Sequence, residues 1–383
     1  MNSMVAQVQS LPELIRESTP KLDDAIRTTL DHEICLSLKR VFITGCGDSH
    51  HAALNTELAF ESLAGLPTEP MTALQFSHYG VGYLPDTGPG TNAVIGISVS
   101  GEVARTTEAL NLARKAGAET LSVTATPGSR VDLAGGRTIF STTTPFPDPP
   151  GVHTPGIRTY TANQLVLLLM AVRLGEVRGN LTSEVAKGLR KEILALADAV
   201  EETTQNCERT AREIAETWSD AGEFVFAGSG PNFGTALFSA AKVLEASGDP
   251  AIGQDLEEWA HLQFFVKAPS TPTFIINASD RDLSRAGEVV TAARKIGRRV
   301  VIIAPPGRSD LTAEAEFYLP IAEGVREAFS PVISAIPGEL FSAYRAEVLD
   351  EPYFRNFGGG RSTEGGGGIS RIRDSEMLEE ILK

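Results

Sequence analysis

Short apolar runs that end in a glycine turn and lead into a helix recur along this chain. Two clear examples are VFITGCG at residues 41–47 and VFAGSGP at residues 225–231. An apolar run of this length before Gly-x-Gly predicts a parallel strand that is covered on both faces. Glycine allows a sharp turn and close approach of a ligand, and the first N–H groups of the following helix favour an anion.

Each of these segments is followed by a second unit with a shared pattern. Residues 92–130 and 271–309 both show an apolar strand, a polar turn, an amphipathic helix that ends in glycine, and a strand before Pro-Gly. Counterparts such as Gly117 and Gly297 lie about 180 residues apart, and a period that long indicates tandem domains. The sequence therefore predicts a duplicated parallel α/β domain.

The pattern predicts five segments along the chain. They are a helical segment over 1–35, a first α/β domain over 36–180, a helical connector over 181–219, a second α/β domain over 220–345 and a glycine-rich tail over 346–383. We expect Pro20 to break the first helical segment and the connector to form a helical hairpin.

Within the first domain the pattern is specific enough to place individual elements. Predicted strands cover 41–44, 93–98, 120–124 and 137–141, and predicted helices cover 52–63 and 102–116. The proline-rich segment 143–156 is predicted to be a loop. It precedes a strongly apolar helix over 161–177, which is too short to span a membrane and is predicted to be buried.

Composition narrows the class of protein. The 383-residue chain is 42% hydrophobic, and its formal net charge of −15 argues against a nucleic-acid surface. A local nest of N–H groups can still bind an anion on an acidic protein. Three scattered cysteines fit a reducing compartment. With no long apolar run and no basic-then-apolar N-terminus, the expected location is the cytoplasm.

Two motifs in the first half resemble the phosphate-binding loops of sugar isomerase (SIS) domains. They are Cys-Gly-Asp-Ser at 46–49 and Ser-Val-Ser-Gly-Glu-Val at 98–103. The tandem arrangement is similar to the isomerase half of glucosamine-6-phosphate synthase and to related sugar-phosphate deaminases and deglycases. The resemblance implies five-stranded parallel sheets in a doubly wound, three-layer fold. It also implies a substrate cup formed by Gly47, Asp48, Ser49, Ser98, Ser100, Gly101 and Glu102.

The cup departs from the family pattern at two positions. Asp48 and Val103 stand where the family has threonine, so two hydroxyl donors are lost and a carboxylate is added. Asp48 would lie beside a bound phosphate, or it would cap the helix that follows. These departures leave open a substrate that carries another anionic group or is neutral.

The second half carries the more detailed chemical motif. Lys242 and Glu245 share a predicted helix, and Glu258 and His261 follow, with Glu245 and His261 separated by 16 positions. That spacing resembles the family's KLKE and GELKHGP motifs. The resemblance implies that Glu245 moves a proton between C1 and C2 of the sugar. It also implies that His261 opens the ring and that Glu258 orients His261.

Two further expectations attach to this motif. Lys242 lies one turn from Glu245 and is expected to lower the pKa of the Glu245 carboxyl as an opposite charge. In the family the histidine comes from the neighbouring subunit, which implies a homodimer with shared active sites. The implied protein is a cytoplasmic enzyme of phosphosugar or amino-sugar metabolism.

The C-terminal part resembles the family only partly. Residues 354–359 align with the family loop PRNLAK, so Arg355 and Asn356 are implied to bind substrate, whereas the catalytic lysine position falls on Gly359. The glycine-rich tail is either disordered or a loop that folds over an anionic ligand through Arg355 and three later arginines, Arg361, Arg371 and Arg373.

Several reaction types remain open from the sequence. The second residue is Asn2, not a nucleophilic cysteine, so we expect no glutaminase half. Isomerisation, hydrolytic deamination and deglycation all use the same base chemistry without a metal or cofactor. The pair His50 and His51 with Asp48 lacks a placed fourth zinc ligand. The alternative to an enzyme is a non-catalytic sugar-phosphate sensor, which retention of Glu245 with His261 disfavours.

Overall fold

The computed structural model describes residues 2–359. It contains ten strands: β1 (Arg40–Gly45), β2 (Thr68–Thr72), β3 (Asn92–Ile97), β4 (Glu119–Thr124), β5 (Arg137–Phe140), β6 (Phe224–Gly228), β7 (Ala251–Asp255), β8 (Thr273–Ile276), β9 (Val300–Ala304) and β10 (Phe317–Pro320). All pairings between these strands are parallel.

Helices cover most of the remaining described residues. They are α1 (Ser3–Gln9), α2 (Leu11–Thr29), α3 (His32–Ser37), α4 (Asp48–Ala64), α5 (Ala73–Gln75), α6 (Ala104–Lys115), α7 (Arg130–Ala134), α8 (Arg158–Arg178), α9 (Ser183–Thr217), α10 (Pro231–Ala246), α11 (Leu256–His261), α12 (Leu283–Lys295), α13 (Ser309–Thr312), α14 (Pro331–Ser334) and α15 (Ile336–Val348). A π-helical turn, Phe76–Gly80, follows α5.

The chain forms two compact units, each built on one five-stranded sheet. The first comprises Leu14–Thr144 and Thr159–Leu194, and its sheet has the order β2-β1-β3-β4-β5. The second comprises Pro145–Arg158 and Ala195–Asn356 with the N-terminal residues, and its sheet has the order β10-β9-β8-β6-β7. We call them the first and second domains. The predicted duplicated, doubly wound α/β fold is confirmed.

Burial of the central strands explains why the sequence pattern predicted them well. Every residue of β3 and β9 is buried, because helices cover both faces of each sheet. In the first domain, the residues of α6 pack on β3 through Leu110 and Ala113, in a cluster with Phe42 and Val94. The predicted strands and helices of this domain are found within a few residues of their expected ends.

Two predictions about helices are wrong. The connector is one helix, α9, not a hairpin, because no proline interrupts its apolar stripe, which is buried from Ala186 to Ile214. Helix α2 continues through Pro20. Pro20 lies on the exposed face, where solvent can hydrogen-bond the carbonyl that proline leaves without a donor.

Strand β2 was not predicted. Its sequence, TEPMT, has no apolar run and contains Pro70. It forms the edge of the first sheet, where one row of backbone groups has no neighbouring strand and proline is tolerated. The proline-rich segment 143–156 contains no helix or strand, as predicted, and α8 is buried along most of its length.

Candidate functional site

The first candidate site lies where β1 and β3 end. These strands are neighbours in register, with Gly45 opposite Ile97, so the turns that follow them emerge side by side at the carboxyl edge of the sheet. The chain leaves β1 toward β2 on one side while β3 lies on the other, which makes this the switch point where doubly wound folds bind ligands.

The first turn presents the start of α4 to this edge. Gly47 has φ 55° and ψ −128°, a conformation suited to glycine, and no side chain caps the helix. Asp48 is the first helical residue and does not cap α4, contrary to one of the two expectations for it. Its carboxylate lies 3.8 Å from Nδ1 of His51. The positive end of the α4 dipole favours an anion, and the Asp48 carboxylate opposes one.

The second turn is held by its own polar groups. Ser100 Oγ accepts the N–H of Glu102 at 3.4 Å, and the Glu102 carboxylate accepts the N–H of Arg130 at 3.4 Å. Gly101 has φ 68°, and a Cβ there would lie 1.9 Å from Ser129 Oγ. The structure thus brings the predicted cup residues to one edge, while Ser100 and Glu102 already serve the turn itself.

Several buried polar atoms point to a polar function at this edge. Within residues 2–359, Thr44 Oγ1, His50 Nδ1 and Ser98 Oγ are buried without a hydrogen-bond partner. Burial, with a smaller contribution from the charge of His51, lowers the pKa of His50 to about 4. His50 is therefore neutral near pH 7 and can accept or donate a hydrogen bond to a ligand.

A cluster beside the first turn was not predicted from the sequence. Glu108 on α6 has a fully buried side chain, and its Oε2 accepts hydrogen bonds from Arg105 at 2.7 Å and His78 at 3.2 Å. Burial raises the pKa of the Cys46 thiol, which lies near Thr106 and Arg105. The spacing of Arg105 and Glu108, one helical turn apart just after a glycine loop, was a signal that could have been noticed.

The second candidate site contains the predicted base. Lys242 and Glu245 form an ion pair on α10, with the Lys242 side chain fully buried and that of Glu245 31% exposed. The Lys242 ammonium also lies 5.0 Å from the ring centroid of Phe238. A buried ammonium needs a compensating charge, so it fixes the Glu245 carboxylate while leaving part of it accessible.

The histidine of the motif has a different partner from the one expected. His261 Nε2 lies 3.0 Å from Glu257 Oε1, whereas the family resemblance implied that Glu258 orients His261. Residues four apart share a face of a short helix, and Arg285 binds the same Glu257 carboxylate. The hydrogen bond from His261, followed by that from Arg285, lowers the pKa of Glu257. The His261 side chain is 65% exposed.

The C-terminal arginine has a structural contact. Arg355 donates to the carbonyl of Ala246, the last residue of α10, at 2.6 Å. Arg355 and Asn356 both have positive φ, so the segment forms a left-handed turn against the end of that helix. The predicted substrate role of the pair stays a prediction, and the predicted roles of Arg361, Arg371 and Arg373 lie outside the described residues.

The second domain also has a cavity at its carboxyl edge. It has a volume of about 520 Å³ and lies at the turns that follow β8, β9 and β10. Its walls include Ser279, Asp280, Arg308 and Glu327. Ser279 Oγ donates to Glu327 at 2.8 Å, and Arg308 donates to Asp280. This cavity does not include the predicted catalytic residues.

Two negative findings concern residues 2–359. No group of three or more His, Cys, Asp or Glu side chains in this part of the chain is placed to hold a metal ion. No helix in the same residues is long and apolar enough to cross a membrane.

The fold and sites define a tandem of two doubly wound α/β domains with polar turns at the carboxyl edge of each sheet. Residues 36–172, which lie within the first domain apart from 145–158, match the SIS domain family. The chain is 27% identical over 357 residues to the isomerizing glutamine–fructose-6-phosphate aminotransferase of Gloeobacter violaceus, covering 91% of this chain. It spans 57% of that relative's length.

Solved structures share this fold over about nine-tenths of the chain. The C-terminal domain of glucosamine-fructose-6-phosphate aminotransferase from Francisella tularensis superposes with a TM-score of 0.78 at 17% identity, covering 91% of this chain and 96% of that one. Tagatose-6-phosphate ketose/aldose isomerase from Escherichia coli gives a TM-score of 0.71 at 15% identity, covering 92% and 94%. The chain therefore shares the fold of these structures, two tandem doubly wound α/β domains.

Proposed function

We propose that this protein is a phosphosugar isomerase or an amino-sugar-phosphate deaminase that uses Glu245 as its base. The observation that carries the proposal is the Lys242–Glu245 ion pair, in which a fully buried ammonium holds a partly exposed carboxylate. Such a carboxylate is fixed in position and partly accessible, as a base that abstracts a proton beside a carbonyl must be.

The chemistry follows from the roles of three groups. The substrate is a sugar phosphate. His261 moves a proton between the ring oxygen and the anomeric hydroxyl to open the ring, with Glu257 fixing the imidazole. Glu245 then removes the C1 proton of a ketose to give a cis-enediol and returns a proton to C2, which yields the aldose. With an amino sugar the same base moves the C2 proton to C1 through an enolamine, and water hydrolyses the resulting C2 imine to the ketose and ammonia.

A shared site in a homodimer is part of the proposal. The exposed position of His261 suits a residue that completes the site of a neighbouring copy. Two similar proteins, an isomerizing aminotransferase and a ketose/aldose isomerase, support C1/C2 proton transfer as the reaction class. The aminotransferase is longer than this chain, so transfer of nitrogen from glutamine is not included in the proposal.

The decisive experiment is solvent proton exchange. The protein is incubated in D2O with fructose 6-phosphate or with glucosamine 6-phosphate, and deuterium at C1 and C2 is followed by NMR. We expect exchange with at least one substrate, and ammonia in the second reaction would identify a deaminase. Glu245→Gln should reduce exchange by about a thousandfold without loss of binding, because the amide cannot take the proton.

Glu213→Gln is the matched control. It removes one carboxylate from an exposed position on α9 and should leave exchange unchanged. Exchange that persists in Glu245→Gln would refute the assigned base. Measurable binding of both sugars without exchange in the wild-type protein would favour the sugar-phosphate sensor.

A further inference from the structure

The Arg105–Glu108–His78 cluster is built around a carboxylate that solvent does not reach. The Glu108 side chain is fully buried, and one oxygen, Oε2, receives Arg105 at 2.7 Å, His78 at 3.2 Å and Ser77 at 3.5 Å. Its other oxygen, Oε1, is buried without a hydrogen-bond partner in residues 2–359. Burying a carboxylate is unfavourable unless charges and donors compensate, so Glu108 binds Arg105 tightly.

The consequence of this pairing is a fixed guanidinium. Arg105 is the second residue of α6, and about a quarter of its side chain is exposed. A free arginine samples many rotamers, whereas a carboxylate one turn further along the helix selects the rotamers that reach it. Arg105 therefore presents a rigid planar set of donors at the start of α6.

The cluster lies at the switch point of the first domain. Cys46, in the turn after β1, lies near Thr106 and Arg105 of α6. Ser98, in the turn after β3, supplies an independent sign of a ligand, because the residue is 2% exposed and its Oγ has no hydrogen-bond partner among the described residues. Helix α6 begins directly after that turn and directs its positive end to the same place.

The negative charge already present at this edge means that an anion would bind better beside a cationic side chain. The start of α4 carries Asp48, whose carboxylate opposes any anion bound by the N–H groups there. The described donors of the two turns include the hydroxyls of Ser49 and Ser98, which are neutral. A guanidinium supplies the positive charge and, through its planar fork, binds two oxygens of one phosphoryl group.

We infer that Arg105 binds the phosphoryl group of the substrate, and that Glu108 and His78 are positioning residues for it. The inference rests on the proposed function for the sugar part of the substrate. It assigns recognition of the anionic end to an ionic contact from α6, in addition to the backbone groups of the two turns.

Calorimetric titration of the full chain tests this assignment. Fructose 6-phosphate and inorganic phosphate are the anionic probes, and fructose is the neutral one. Arg105→Gln should weaken binding of both anionic probes by about tenfold or more, because a charge-assisted bidentate contact is lost. Arg105→Lys should fall between the wild type and Arg105→Gln, because it keeps the charge and loses the fork.

Arg114→Gln is the matched control. Arg114 lies on the same helix and donates to Asn111 three residues away, but it stands at the far end of α6. This variant should bind all probes like the wild type. Equal affinity of Arg105→Gln and wild type for fructose 6-phosphate would overturn the inference. A wild-type protein that binds neither anionic probe would overturn it too.

Weaker binding by a Glu108 variant would not by itself show that Glu108 acts by positioning Arg105, so a double variant is also measured. Glu108→Gln keeps the shape of the side chain and should weaken fructose 6-phosphate binding less than Arg105→Gln. The double variant should bind no more weakly than Arg105→Gln alone, since both changes remove one contact. Additive losses in the double variant would contradict a positioning role, and circular dichroism checks that each variant is folded.

The inference and the proposed function fail in different ways. If binding depends on Arg105 but no deuterium exchange occurs in the NMR experiment, the assigned anion site stands and the proposed isomerase activity is rejected. If deuterium exchange occurs but the affinity does not depend on Arg105, the proposed activity stands and the assigned anion site is rejected.

Discussion

The carboxyl edges of the two domains share a backbone and differ in charge. Gly47 and Gly230 start α4 and α10 with nearly the same dihedral angles, φ 55° and 52° with ψ −128° in both. Ser100 and Ser279 occupy corresponding positions after β3 and β8. The duplicated turns have therefore kept their geometry, and the residues around them decide what each edge can bind.

The next residue along each turn shows how far the edges have diverged. In the first domain Gly101 packs against Ser129, and the counterpart positions in the second domain are Asp280 and Arg308, which form an ion pair. The second edge also carries Glu327 in its cavity. The second edge pairs its guanidinium, Arg308, with the exposed Asp280. The first edge also carries carboxylates, Asp48 and Glu102, and differs in having Arg105, to which we assign anion binding.

The largest effect is expected when Gly101 of the first domain is replaced by aspartate, the residue at the corresponding position of the second domain. Gly101→Asp places a side chain at φ 68° and drives its Cβ into the buried Ser129, which caps α7. Left-handed strain, steric overlap and a lost cap together should lower the free energy of unfolding by about 4 kcal/mol. Urea denaturation measures this loss. The reverse change, Asp280→Gly, should cost about 1 kcal/mol or less.

The next largest effect is expected from acid, which should destabilise the first domain more than the second. His50 has a pKa of about 4 in the folded protein, below its ordinary 6.5, so the unfolded chain binds the extra proton as the pH falls. The stability that neutral His50 contributes is present above pH 6.5 and is lost progressively toward pH 4, by about 2–3 kcal/mol. The corresponding residue in the second domain is Phe233, which does not titrate.

Hydrogen exchange followed by mass spectrometry resolves this difference. Between pH 6.5 and pH 4, after correction for the intrinsic exchange rate, α4 should lose protection before α10. His50→Gln should remove that additional loss in α4. Equal loss of protection in both helices of the wild type would contradict the role given to His50.

A smaller effect is expected from Arg308→Ser, which gives the second edge the residue of the first. The Asp280 side chain is 86% exposed, so its ion pair is screened by solvent and should contribute less than about 1 kcal/mol. Thermal unfolding measures the change. A loss of several kcal/mol would mean that Arg308 supports the turn after β9 through contacts other than Asp280.

The smallest effect is expected from the exposed ion pair at the first edge. Glu102 and Arg130 are 3.5 Å apart, and both side chains are at least one-third exposed. Glu102→Gln should change the free energy of unfolding by about 0.5 kcal/mol or less. If this variant instead weakens fructose 6-phosphate binding by more than tenfold, Glu102 contacts the substrate, as the family resemblance implies.

The sequence predicted the central strands and their turns because these elements obey local rules. A strand such as β3 is apolar throughout, and glycine at 47 or 101 marks a backbone that other residues adopt poorly. The edge strand β2 obeys no such rule, because its position at the sheet edge tolerates Thr, Glu and Pro.

The candidate site was predicted only where one motif contained all of its parts. Lys242 and Glu245 lie on one helix, so their spacing was sufficient to pair them. The partner of His261 was misassigned by one residue, because the choice between Glu257 and Glu258 depends on the face of a six-residue helix. The contact between Glu108 and His78 joins segments 30 residues apart, which no local pattern reveals.

The burial of Lys242 has a consequence for reagents added from outside. An amine-reactive label attacks a neutral, accessible ε-amine, and the Lys242 ammonium is both enclosed and paired with Glu245. Modification of this lysine must await a local opening of α10. Its rate of acetylation, relative to that of an exposed lysine such as Lys191, therefore reports how often the helix that carries the proposed base opens locally.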